Sequence, residues 1–174
     1  VDSLFQGVDI IIAHNASFDR AFIDRFSSNS PSKVWACSIS DIDWLKRGFA
    51  SSKQELLCYW HGFYFDAHRA MNDVDALIHL LTFDTGLERP LLELIKNSNK
   101  SEFVIFAEHF NYDPVKKDIL KGNKYRWNPN DKIWFKKVNL DELEHEKDWL
   151  TATIYDQVFK GRVEEIIPSN KYKL

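Results

Sequence analysis

The stretch IIIAHNASFDRAFIDRF, Ile10 to Phe26, changes its period part-way along. It opens as a continuous apolar run bounded by Asp9 and His14, the pattern of a short buried strand. From Ala16 onward the apolar residues Ala16, Phe18, Phe22, Ile23 and Phe26 recur at helical spacing. A strand feeding a helix is the repeating unit of an α/β sheet, and strand ends are where such sheets display functional groups. His14, Asn15 and Asp19 stand at that end. A carboxylate one helical turn past a strand end can hold a hard divalent cation, directly or through water. It can equally be an ordinary exposed helix Asp, and Asp19 alone does not decide.

The surrounding sequence continues the α/β pattern. Val34 to Cys37 is a second short strand, and Ser38 or Ser40 is placed to cap a helix that ends at Gly48. Residues 53–61, 68–83 and 88–97 read as helices. The second of these has Ala70, Val74, Leu77, Ile78 and Leu81 along one face. The polar segment KNSNKS, residues 96–101, marks a seam. Beyond it come a strand at 103–107, a helix at 114–121, two short strands at 125–127 and 133–138, an acidic helix at 140–155 and a last strand at 163–167. The expected organisation is an α/β piece over 1–98 followed by a small α+β module over 99–174.

The totals exclude several classes. With 174 residues and 44% hydrophobic content the chain is long enough for one solid core or two small ones. A net charge of −3 does not mark the whole molecule as a polyanion binder. No apolar run approaches the length of a membrane span, and no basic-then-apolar leader opens the chain. Cys37 and Cys58 lack metal-ligand spacing and read as small core residues, which sets the expectation of a cytoplasmic protein.

A second polar cluster lies in AHRAMNDVDAL, Ala67 to Leu77. A His at a helix entrance is solvated and takes a proton near neutral pH, which suits His68 to general-base work. Asp73, within the next turn or so, is placed to reach a metal beside it. A polar helix face explains the same residues, because His68, Asn72, Asp75 and His79 also follow helical spacing. The His-x4-Asp spacing itself is weak: it also occurs at His14/Asp19, His61/Asp66 and His79/Asp84. Only His68/Asp73 combines a turn before it with a small-residue helix after it. His61 is expected at a core-facing helix end, and His79 on a solvated face.

Taken together and in order, AHNASFD resembles the second motif, and HRAMNDVDAL the third, of the DEDDh group of 3′–5′ exonucleases, which includes the proofreading epsilon subunit of bacterial DNA polymerase III. WACSISDIDWLKRG between them resembles that family's connecting strand and helix. The resemblance covers roughly residues 5–98. It implies a ribonuclease-H-like fold and phosphodiester hydrolysis with two ions, Mg²⁺ or Mn²⁺. It implies that Asp19 and Asp73 bind metal and that His68 deprotonates the attacking water. It further implies that His14, Asn15 and Phe18 lie on the substrate side, with Phe18 packed under the site. The implied partners are a single-stranded 3′ end, of DNA in the main reading and of RNA in a weaker one, and a DNA polymerase.

One motif of that family is missing. Its first strand ends in Asp-x-Glu, but here only VDSLFQGVDII leads up to the His14 motif, and neither Asp2 nor Asp9 is followed two residues later by Glu. Asp41 and Asp43 are expected on a helix. The chain is therefore expected to be an N-terminally incomplete exonuclease fold with little or no activity by itself. The rival reading is a catalytically inactive module that holds nucleic acid or a polymerase. An incomplete sheet would also leave an open edge at the first strand, and weak self-association is expected through it.

In the second half, eight basic residues fall between Asp113 and Lys137, opposed by Asp113, Asp118 and Asp131. KYRWNPNDKIWFKK reads as a hairpin turning at Asn128 to Asp131. Lys124, Arg126, Lys136 and Lys137 are candidate nucleic-acid contacts, interleaved with Tyr125, Trp127, Trp134 and Phe135. Alternation would separate Tyr125 and Trp127 from Lys124 and Arg126, so a basic face over an aromatic mini-core is the competing reading.

Overall fold

The computed structural model describes residues 2–67, 69–83, 86, 88–111, 113–155 and 157–173. It is a mixed α/β chain that divides into two compact units, Val1–Lys100 with Pro168–Leu174, and Ser101–Ile167. The last residues, expected in the second module, thus belong with the first unit. Among the described residues no helix is long and apolar enough to cross a membrane.

In the first unit the elements run α1 (Asp2–Phe5), β1 (Ile10–Ala13), α2 (Ala16–Ile23), β2 (Val34–Cys37), α3 (Gln54–Trp60), α4 (Ala70–Thr82) and α5 (Pro90–Ser98). Strands β1 and β2 pair in parallel with Ile10 opposite Val34 and Ala13 opposite Cys37. The parallel pairing requires a crossover, and α2 supplies it. No other described strand pairs with β1, so its second edge is open among the described residues. Ala36, Leu57, Cys58, Ala76, Leu80 and Leu94 form one core cluster, and Ala16, Trp35 and Cys37 another. Both cysteines are buried and free.

Two expectations for this unit are corrected, the first outright and the second in part, since Leu77 and Leu81 do meet the core. Residues 38–50 form successive turns rather than a helix. Asp41 turns its carboxylate back to accept from the Cys37 backbone N–H at 2.8 Å, and Trp44 Nε1 donates to the Ser38 carbonyl at 2.6 Å. Such side-chain bonds to nearby backbone compete directly with helix formation, so Asp41 and Asp43 are not helical. In α4 the buried side is Ala76, Leu80 and Leu81, while Val74 and Ile78 are exposed. Small Ala76 lets α3 approach closely, with Cys58 Sγ 4.0 Å from its carbonyl oxygen.

The chain's end is fastened by two buried cations. Arg20, fully buried, donates to the carbonyls of Lys171 and Ser169 at 2.7 Å each and to that of Pro31 at 3.1 Å. Lys171 donates to Asp41 at 2.9 Å and to the Asn97 carbonyl at 3.1 Å.

The second unit comprises β3 (Glu102–Ala107), α6 (Pro114–Gly122), β4 (Arg126–Asn128), β5 (Ile133–Val138), α7 (Leu140–Thr153) and β6 (Arg162–Ile166). Its antiparallel sheet has the order β4-β5-β3-β6. Asp113 caps α6 through the Val115 N–H, and Asn139 with Glu142 forms a capping box on α7. Ile105, Ala107, Trp134 and Val138 from one sheet face pack with Leu120 of α6 and Leu143 and Leu150 of α7.

Candidate functional site

Strand β1 ends at Ala13 and the chain turns at once into α2. Asn15 makes the turn, with φ 68° in the left-handed region that Asn tolerates better than most residues. Placed by that turn, Asp19 falls in the first turn of α2; Asp73 falls in the first turn of α4. Helix N-termini favour negative charge there. Both acids line a single cleft of ≈ 860 Å³, together with His14 and Phe18. The first turns of two helices far apart in sequence therefore meet on one concavity.

The walls are of two kinds. Phe18, Phe65, Val74 and Leu77 supply apolar surface, and Lys53, Gln54 and Glu55 from the start of α3 supply polar groups. Phe18 is 68% exposed, so it does not pack beneath the site as expected but stands on the wall of the cleft. Asn15 is exposed and is not among the residues that line the cleft; its Oδ1 accepts from Ser17 Oγ at 3.4 Å. Its evident service is to the backbone turn. His68 lies outside the described residues.

The electrostatics differ between the groups. Burial pushes the Asp19 carboxyl above its usual range. Burial also lowers the His14 imidazole, while the Asp73 carboxylate acts in the opposite sense. His14 Nδ1 and Ser38 Oγ are 2.8 Å apart, and buried Ser38 holds the ring in orientation. A neutral imidazole so held is available at the other nitrogen as an acceptor or donor.

The donor set can be tested against the metals the resemblance implies. Among the described residues no group of three or more His, Cys, Asp or Glu side chains forms a metal site. Two carboxylates suffice for one Mg²⁺ whose shell is completed by water and substrate phosphate, the usual manner of Mg²⁺ binding. They fall short of a centre for two ions.

Sequence reasoning did not select Lys53, Gln54, Glu55 or Phe65. Residues 53–61 read as a helix, but nothing in SSKQEL told that its start faces the cleft. His79 is also displaced from its expected solvated face. Its ring stacks on Phe63 at 4.5 Å, and His61 stacks on Phe83 at 4.3 Å. Both ring nitrogens of His61 and Nε2 of His79 are shielded from solvent and have no hydrogen-bond partner among the described residues.

This aromatic packing has a pH consequence. Burial, and then His79, lower the pKa of His61. The unfolded chain therefore takes up protons below about pH 6.5 that the folded state refuses. The stability contribution is present above that pH and lost as pH falls. Urea denaturation from pH 7 to 5 should show the midpoint falling, and His61→Leu should flatten that dependence. An unchanged slope in His61→Leu would remove His61 from the account.

Comparison with family models, with curated proteins and with solved structures found no match to this chain.

Proposed function

We propose that the first unit is a ribonuclease-H-like, DEDDh-type 3′–5′ exonuclease fold whose cleft takes the 3′ end of a single-stranded nucleic acid, DNA in the first instance. The observation that carries this reading is the convergence of Asp19, Asp73, His14 and Phe18 on one cleft at the end of a parallel strand. His14 and Asp19 stand more than 50 positions before Asp73 in the chain, and the spacing of the residues alone does not require a common cavity.

In this reading Asp19 and Asp73 would hold a divalent cation in the cleft. That cation supplies offsetting charge for the phosphate oxygens. Phe18 gives the terminal base an apolar surface to stack on, and His14, fixed by Ser38, offers a hydrogen bond to the strand. His68 is the proposed general base. Because the described residues gather no group of three or more metal-holding side chains, hydrolysis by this chain alone is slow or absent. That same shortage favours a second reading, a nucleic-acid-binding module without catalysis.

The test is a time course with a 5′-labelled single strand in Mg²⁺ or Mn²⁺, resolved by length. The proposal expects slow shortening from the 3′ end, stopped by EDTA and by Asp73→Asn. Binding without shortening selects the second reading. Rapid digestion that survives Asp19→Asn and Asp73→Asn would contradict both.

A further inference from the structure

The second unit carries a surface that neither the cleft nor the nuclease reading uses. The antiparallel registers align Arg126, Phe135, Phe106 and Arg162 in one row across all four strands. Side chains alternate along a strand, so this row lies on the face opposite Ile105, Ala107, Trp134 and Val138, which pack with the helices. Lys137 shares the row's face, opposite Val104.

The residues on this face combine two properties. Phe106 and Phe135 are half-buried rings on adjacent central strands, and Arg126, Lys137 and Arg162 are exposed cations. The Arg162 guanidinium lies 4.0 Å above the Phe106 ring. Acids are present as well: Glu164 pairs with Arg162, Glu108 lies 3.5 Å from the same guanidinium, and Glu102 lies 3.7 Å from Lys137. They come from β3, the residue just after it, and β6. On the β4–β5 side of the face, Arg126 and Lys137 are the charged strand residues, and Arg126 has no ion pair among the described residues. Positive charge is thus concentrated beside the Phe135 ring.

Sheets with helices on one face and aromatic rings on central strands of the other read single strands by stacking bases on those rings. We propose that this face, opposite the described helices of the second unit, binds single-stranded nucleic acid. Bases stack on Phe135 and on the Arg162–Phe106 pair, and phosphates run along Arg126 and Lys137. The aromatics that bind are therefore not Tyr125 and Trp134, which are buried in the helix-side core. Nor does Lys136 take part: it lies on the helix side and is held by Glu146 at 2.6 Å. The proposal needs no metal and does not rest on the nuclease reading.

The test uses the full chain, EDTA and a fluorescein-labelled single-stranded oligo-dT, followed by anisotropy across a salt series. Phe135→Leu keeps an apolar side chain and removes the ring; it should weaken binding about ten-fold. Arg126→Ala should lower the slope of log K against log salt by about 0.7. Circular dichroism checks that each variant is folded, and Phe135→Tyr should restore binding if the leucine variant is not. Wild-type affinity in folded Phe135→Leu and Arg126→Ala would overturn the proposal. Loss of binding in Phe18→Ala alone would do the same, because it would locate the contact in the cleft. Preference for a poly-glutamate peptide over the oligonucleotide would overturn it too, by marking the face as a site for acidic proteins.

Discussion

Lys171→Ala is expected to remove about 3–5 kcal/mol from the stability of the first unit, the usual cost of leaving one member of a buried pair unpaired. Both side chains of the Lys171–Asp41 pair are 3% exposed, and their charged atoms are 2.9 Å apart. Asp41 keeps a backbone donor from Cys37 but loses its only ion-pair partner among the described residues. Total domain stabilities of about 5–15 kcal/mol make this a large fraction. The loss should spread, because Arg20 grips the same segment through the carbonyls of Ser169 and Lys171. Denaturant titration of the wild type and Lys171→Ala measures it. Replacing both partners, Lys171→Met with Asp41→Leu, should recover much of the loss, since the desolvation cost then disappears as well. A single-variant loss under about 1 kcal/mol would show that the pair is solvated and the tail loosely held.

Lys136→Ala is expected to cost about 3 kcal/mol in the second unit and to leave nucleic-acid binding unchanged under conditions where the protein stays folded. Lys136 Nζ lies 2.6 Å from Glu146 Oε2, in a side chain only 7% exposed. Removing it leaves Glu146 with the Asn123 amide, which donates to Oε1 at 2.8 Å. The same ammonium sits 5.7 Å from the Tyr125 ring centroid, beneath which Trp149 stacks. The pair therefore closes the helix-side core, with the Lys136 ammonium turned to Glu146 rather than to a ligand. Thermal unfolding and anisotropy on the same samples separate the two effects. Intact stability with weakened binding would reverse the assignment and return Lys136 to the surface.

Those two lysines also mark where sequence reading stopped. Strands β1 and β2 and helices α3 to α7 were legible, because apolar runs and helical periods reflect which face must leave water. Lys136 and Lys137 are adjacent and identical in type; only the register places one against α7 and the other on the opposite face. Nothing in the local sequence marks Arg20 or Lys171 as buried, since burying a charge depends on partners distant in the chain: Asp41 is 130 positions from Lys171. The expected helix over 38–48 failed for a similar reason. Asp41 and Trp44 have acceptable helix propensity, but their side-chain bonds to Cys37 and Ser38 hold turns instead. In the candidate site, His14, Phe18, Asp19 and Asp73 were picked by motif, and their common cleft emerged from the packing of α2 and α4 onto the sheet. Lys53, Gln54 and Glu55 could not be picked, because no local pattern aims a helix start at a cavity.

The most direct measurement is a titration of the isotopically labelled full chain, in Mg²⁺, with a linear and a circular single strand of equal length. The side-chain carboxyl resonances of Asp19 and Asp73 and the ring of Phe18 are the reporters. A cleft that takes a 3′ end predicts that the linear strand shifts all three, that the circle does not, and that EDTA removes the carboxyl shifts. Carboxyl resonances unmoved by the linear strand, or moved equally by the circle, would contradict the account.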